Sequence, residues 1–266
     1  MVDSSAITVA PSTSEGATSD AHERLLVHGL CVFERALPVS LIDACRPVVA
    51  LALTRLDADL ETGGYSTESR TRVKVRAAEG SMDEPPLGDA LLHQRAPWLP
   101  LVHATLGEDA LELWRGVLDN KPGSSGMRWH RDGEYLEKGY EQADADCLNV
   151  FVPLIDVTAA DGPTEFMPGS HYGAALHDSG EELAEEGELP ACSPLLQRGD
   201  AVVFDFRLVH RGTPNVNDGR QGRSRPMLYI IYGRSGKAAN VPHHLEAASR
   251  EGRPPPEFVA AKGGAC

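Results

Sequence analysis

A histidine and an aspartate stand two residues apart in Met127-Arg128-Trp129-His130-Arg131-Asp132-Gly133. If this stretch runs extended, residues i and i+2 face one side, so an imidazole and a carboxylate reach for the same point. Such a pair supplies two ligands of a 2-His-1-carboxylate facial triad, the third coming from another segment. The triad covers one face of an octahedron and leaves two positions for a bidentate 2-oxo acid and one for O2. H-x-D triplets are common by chance, so the pair alone specifies no metal. Two other segments carry suitable groups. Phe204-Asp205-Phe206-Arg207-Leu208-Val209-His210 reads as a buried strand ending in a histidine, followed by Arg211-Gly212-Thr213-Pro214-Asn215 and a basic cluster of Arg220, Arg223 and Arg225. Asp161-Gly162-Pro163-Thr164-Glu165-Phe166-Met167-Pro168-Gly169-Ser170-His171 offers a hydroxyl and a further histidine.

The surrounding pattern divides near residue 110. Before it, a short helix is expected over Ala21–Leu30, then a strand over Leu30–Glu34. A helix follows from Pro38 and Ser40, with Leu41, Ile42, Cys45, Val48, Val49 and Ala52 at helical spacing. Pro47 is expected to kink or break that helix. Leu91–Leu106 reads as helical, interrupted near Pro97 and Pro100. After residue 110 come short apolar runs separated by Gly and Pro: Leu111–Leu118, Gly126–His130, Cys147–Leu154, Thr164–Met167, Ser193–Leu196, Ala201–Asp205 and Met227–Tyr232. Many short strands with turn signals predict a sandwich or barrel. Residues 1–19, poor in large apolar side chains, read as a disordered tail. Residues 20–250 read as the single functional domain, with 178–190 an acidic exposed segment and 251–266 an irregular tail.

The hydrophobic fraction of 41% and charged fraction of 24% are those of an ordinary globular protein. A net charge of −14 disfavours wrapping nucleic acid, and the chain contains no apolar run long enough to span a bilayer. Five scattered cysteines without a C-x-x-C pair, and no basic leader ahead of Arg24, fit a reducing, cytoplasmic setting.

Taken together, W-H-x-D, D-G-P-T-x-F-x-P-G-S-H and F-x-x-x-x-V-H-R-G-x-x-N resemble the phytanoyl-CoA dioxygenase family of iron(II)- and 2-oxoglutarate-dependent oxygenases, over roughly residues 23 to 234. The resemblance implies a mainly β fold with flanking helices, a double-stranded β-helix of the jelly-roll, cupin-like kind. It implies Fe(II) held by His130, Asp132 and His210, with 2-oxoglutarate as co-substrate and O2 as oxidant. An Arg after the distal His pairs with the far carboxylate of 2-oxoglutarate in that family. The usual spacing lands here on Gln221, because Asp218–Ser224 reads as a small insertion. Arg225 then fits the strand start best, with Arg223 as the alternative, and Thr164 matches a hydroxyl that helps bind the co-substrate. Met127 and Arg128 stand where the family often has a Gln. Asp132 occupies the position that related halogenases leave to chloride, which favours hydroxylation or a desaturation, cyclisation or endoperoxidation variant.

Plainer roles are assigned to other residues. His171 is expected to bond the turn around it, Trp129 to sit in the core or line the pocket, and Tyr135 to pack or face substrate. His243 and His244 are expected in solvent. The alternation Arg70, Arg72, Lys74, Arg76 reads either as the solvated face of an edge strand or as an anion site. Two rival functions remain: a cupin-type metalloenzyme that does not use 2-oxoglutarate, and a non-catalytic binding protein on the same fold. The expected partner is a small molecule, with oligomeric state unassigned.

Overall fold

The computed structural model describes residues 4–9, 15–62, 72–75, 85–132, 144–171, 190–217, 222–235 and 258–260. Its elements run α1 (Ser4–Ile7), β1 (Thr8–Val9), α2 (Glu15–His28), β2 (Leu30–Phe33), α3 (Val39–Thr62), β3 (Arg72–Val75), α4 (Leu99–Leu106), β4 (Leu111–Asn120), β5 (Cys147–Pro153), β6 (Thr164–Phe166), β7 (Ala201–Asp205), β8 (His210–Gly212), β9 (Arg225–Gly233) and β10 (Phe258–Ala260). Two sheets form among the described residues: an eight-stranded one ordered β1-β2-β7-β5-β9-β4-β3-β10 and a two-stranded one of β6 and β8.

Side-chain alternation sorts the large sheet into two faces. Leu148, Val150 and Val152 of β5, with Leu228, Ile230 and Tyr232 of β9, pack with Ala21, Leu25, Ile42, Cys45 and Val49 of the helices. Phe151, Met227, Tyr229 and Ile231 point the other way, into a core with Phe166 of β6 and Phe204. A helical layer therefore covers one face and the small sheet covers the other. β5 is buried at every position, and β9 at all but Pro226, because both faces are covered, which explains their continuous apolar runs. Trp98, wholly buried, adds a hydrogen bond from its indole N–H to the Tyr232 hydroxyl, 3.2 Å, tying the segment before α4 to β9.

Several expectations are corrected. The described part of the supposed tail, 1–19, contains α1, β1 and the start of α2; β1 pairs in parallel with β2, and Ile7 is buried. The C-terminal stretch 251–266 contributes β10, paired antiparallel with β3. Arg72–Val75 therefore lies between β4 and β10 rather than at an edge; Arg70 and Arg76 lie outside the described residues. Pro47 sits inside a continuous α3. Pro100 starts α4 rather than interrupting a helix, since its missing N–H costs nothing in a first turn. Gly126–His130 and Ser193–Leu196 form no strands; isolated bridges at His130 and Cys192 replace them. The run 204–210 is two elements: β7 ends at Asp205, and β8 starts at His210.

At one end of the molecule a polar knot joins the sheets. Asn120 Nδ2 donates to the Gly162 carbonyl at 3.1 Å, and Asn215 Nδ2 donates to the Asn120 carbonyl at 2.9 Å. Gly162 has φ +71°, and a Cβ there would meet the Thr213 carbonyl oxygen at 2.6 Å and the Asn215 nitrogen at 2.9 Å. Gly162→Ala is expected to cost on the order of 2–4 kcal/mol, combining left-handed strain with steric overlap. A fall in the urea midpoint with unchanged slope would show it.

Candidate active site

His130 and His210 come together through a two-way backbone bond: His130 N to His210 O at 3.0 Å, and His210 N to His130 O at 2.9 Å. Residues paired in this way project side chains to the same side, and the two imidazoles lie 4.5 Å apart by centroid. Asp132 N donates to the Phe206 carbonyl at 3.1 Å, which keeps the chain extended past His130 and returns Asp132 to the same side. The i, i+2 logic thus holds on a single bridge instead of a full strand. His210 is braced further. Val209 N donates to Ser170 Oγ at 2.9 Å and Met167 N to the Val209 carbonyl at 2.9 Å, so the P-G-S turn fixes the residue before His210.

Each imidazole turns one nitrogen to a backbone carbonyl: His130 Nδ1 to Arg128 O at 3.0 Å, His210 Nδ1 to Leu208 O at 2.9 Å. A carbonyl only accepts, so Nδ1 is the protonated nitrogen of each neutral ring, and Nε2 is then the atom with a lone pair to offer a metal. Those Nε2 atoms face Asp132, at 3.8 Å from Oδ1 for His130 and 3.6 Å from Oδ2 for His210. One donor atom from each of the three residues falls within 4.8 Å of the others. Two neutral imidazole acceptors and a carboxylate converging in this way fit a divalent transition metal, and the carbonyl partners provide the outer contacts that set ligand orientation.

The cavity beneath these groups is also lined by Leu118, Met127, Phe151, Thr164, Arg225 and Tyr229. Arg225 begins β9 and is 2% exposed, with a guanidinium nitrogen 3.6 Å from Met227 Sδ. An always-charged group held this deep suits an anion as partner. Arg223, the alternative, does not line the cavity. Its guanidinium grips Asp161, Nε to Oδ1 at 2.8 Å and a terminal nitrogen to Oδ2 at 2.6 Å. Arg220 lies outside the described residues, as do Tyr135, His243, His244 and residues 178–189.

A family model for phytanoyl-CoA dioxygenase matches residues 27–223. The chain belongs to the phytanoyl-CoA dioxygenase family. The iron(II)/2-oxoglutarate oxygenase resemblance and the double-stranded β-helix class both stand, with open rather than closed sheets among the described residues. The chain is similar to dioxygenase easH of Epichloe festucae var. lolii, 38% identical over 117 residues, 43% of this chain and 60% of that one. It is also similar to the iron/alpha-ketoglutarate-dependent dioxygenase ausU of Aspergillus calidoustus, 30% identical over 138 residues, 48% of this chain and 44% of that one. The chain thus spans less than two thirds of the length of both relatives. In fold, it resembles the crystal structure of SnoK, a non-heme alpha ketoglutarate dependent carbocyclase from nogalamycin biosynthesis, with TM-score 0.59 and 20% identity over 85% of this chain and 87% of that one.

Within this phytanoyl-CoA dioxygenase family site, two residues escaped the sequence reading. Asn149 Nδ2 donates to Asp132 Oδ2 at 2.6 Å, and the Tyr229 hydroxyl hydrogen-bonds the same carboxylate. Burial, then the Asp132 charge, pushes Tyr229 well above the usual phenol range, so it remains a donor. Asn149 carried a signal: it is the one amide inside the apolar run Cys147–Leu154. Tyr229 carried a weaker one, lying four residues after Arg225 and so on the same strand face. Replacing Asn149 by Leu is expected to weaken divalent metal binding by roughly 10- to 100-fold through loss of an outer contact; isothermal titration with Mn(II) or Co(II) would measure it. His171 turns its Nε2 to the Leu26 carbonyl of α2, 3.1 Å away. Trp129 packs with Met167 and Val209, under the Arg211 guanidinium at 4.3 Å.

Proposed function

We propose that this chain is an Fe(II)- and 2-oxoglutarate-dependent dioxygenase that oxidises, by hydroxylation, an unactivated C–H bond of a small-molecule substrate, with residues 20–250 as the catalytic unit. The observation that carries the reading is the convergence of two Nε2 lone pairs and the Asp132 carboxylate over a cavity floored by a buried arginine. In this reading His130, Asp132 and His210 hold the metal. Arg225 takes the C5 carboxylate of 2-oxoglutarate in a planar two-point contact, and Thr164 donates its hydroxyl to the co-substrate. The chemistry supplied by iron(II) with 2-oxoglutarate is an O2-driven decarboxylation to succinate and CO2 coupled to substrate C–H oxidation. The chain orients the groups and, with Leu118, Phe151 and Tyr229 around them, keeps water away. Hydroxylation is favoured over halogenation because a carboxylate, Asp132, occupies the third ligand position.

A cytoplasmic setting is part of the proposal. It is supported by the free thiols of Cys31, Cys45, Cys147 and Cys192. No helix among the described residues is long and apolar enough to cross a membrane.

The test is anaerobic addition of iron(II) and then 2-oxoglutarate, read by visible absorption. A weak charge-transfer band is expected. Admitting O2 with a substrate library should then release succinate, and the product should be one oxygen heavier. A product two hydrogens lighter would point instead to ring closure or desaturation. Iron binding without the band would favour the cupin-type rival that does not use 2-oxoglutarate; no iron binding would favour a non-catalytic role.

A further inference from the structure

Thr164 and Arg225 face one cavity from two different sheets: Thr164 opens β6 of the small sheet, and Arg225 opens β9 of the large one. No strand ladder joins the two sheets among the described residues, so ladder hydrogen bonds do not fix their separation at this end. Side-chain links do. Asp161, three residues before Thr164, is fully buried, and Arg223, two residues before Arg225, binds it with two parallel contacts. Thr158 adds donations from its N and Oγ1 to Asp161 Oδ2, both 2.7 Å, and Asn217 Nδ2 donates to Oδ1 at 2.9 Å. The Arg223 backbone is held as well, its carbonyl accepting from Asn215 Nδ2 at 3.0 Å, while a guanidinium nitrogen donates to the Asp156 carbonyl at 2.8 Å. Exposed ion pairs contribute little. This one differs: its carboxylate is sunk, its geometry is forked, and both partners stand beside cavity residues.

We propose that the Arg223–Asp161 pair sets the spacing between Thr164 and Arg225 and thereby tunes 2-oxoglutarate affinity, with Arg223 a positioning residue that does not itself touch the co-substrate. The inference rests on the reading of Arg225 and Thr164 as co-substrate contacts. It assigns a role to the last arginine before β9: Arg223 ties residues 222–224 to Asp161, while Arg225 faces the cavity.

The experiment is an anaerobic titration of 2-oxoglutarate into the full-length Fe(II) protein, read by the charge-transfer band, for wild type, R223A, R223K and R225A. Fe(II) affinity and succinate kinetics are measured in parallel. Arg223→Ala should weaken 2-oxoglutarate binding about tenfold, with Fe(II) affinity and kcat held within about twofold. Arg223→Lys, charged but without the fork, should fall between. Unchanged 2-oxoglutarate affinity in both Arg223 variants, even with a lowered melting temperature, overturns the proposal and leaves the pair merely structural. Should R223A fail to fold, R223K alone decides by the same comparison. The underlying reading fails separately, and takes this proposal with it, if R225A binds 2-oxoglutarate as wild type does.

Discussion

His210→Ala is expected to lower iron(II) affinity by more than about 100-fold, beyond the range lost when only an outer partner of a metal ligand is removed. His210 is the most enclosed of the three proposed ligands: its side chain is 5% exposed, against 15% for Asp132 and 32% for His130. Its ring meets Phe204 at 5.0 Å and Phe166 at 6.0 Å by centroid. Truncation therefore opens a hole in the inner core as well as deleting a ligand, at a cost on the order of 2–4 kcal/mol. His210→Gln separates the two effects, because it retains most of the volume without the imidazole. Both variants should lose the charge-transfer band, whereas only the alanine variant should lose much of its urea midpoint. A band of wild-type strength in either would remove His210 from the metal site.

The second large effect is expected at Arg225. Arg225→Ala should raise the KM for 2-oxoglutarate by on the order of 100-fold or more, the scale on which truncating one member of a buried charge pair acts. Arg225→Lys should recover only part of this, since an ammonium offers a point charge where a carboxylate pair wants a planar fork. A readout independent of turnover is the rise in melting temperature on adding 2-oxoglutarate to the metal-loaded protein, which should vanish in the alanine variant. Iron(II) binding should persist, because Arg225 is not one of the three residues whose donor atoms converge. A preserved thermal shift would transfer the anion contact to another cation.

What the sequence conveyed, and what it concealed, follows from the range of the forces involved. β5, β7 and β9 were legible because burial on both faces leaves continuous apolar runs, and His130 with Asp132 because same-side projection needs only extended backbone. The break between β7 and β8 was hidden inside the apolar run 204–210. There Asp205 accepts the Arg207 backbone N–H at 2.8 Å and pairs with its guanidinium at 2.7 Å, a local bond that competes with the ladder. Ile7 falls in the stretch 1–19 that reads as a tail poor in large apolar side chains. Its burial depends on the open side of β2, which no local pattern announces. What sets Arg223 apart from Arg225 is Asp161, a carboxylate far upstream that binds Arg223, whereas Arg225 lines the cavity. Asp161 shows how strong that engagement is: burial opposes its ionisation, yet the contacts from Arg223, Thr158 and Asn217 prevail and hold it well below the usual carboxylate range.

The two-stranded sheet has a consequence for the order in which the molecule comes apart. β6 and β8 are three residues each, and a ribbon of that size has little independent stability. His210 lies within it, while Asp132 hydrogen-bonds Asn149 on the large sheet. An ion shared by these groups would act as a cross-link between segments distant along the chain, restricting the unfolded chain much as a disulfide does. Chelation should then release the lid-like small sheet first, with amide exchange quickening in β6 and β8 while β5 and β9 stay protected. The metal would be a fastener of the fold's weakest layer as well as the seat of its chemistry.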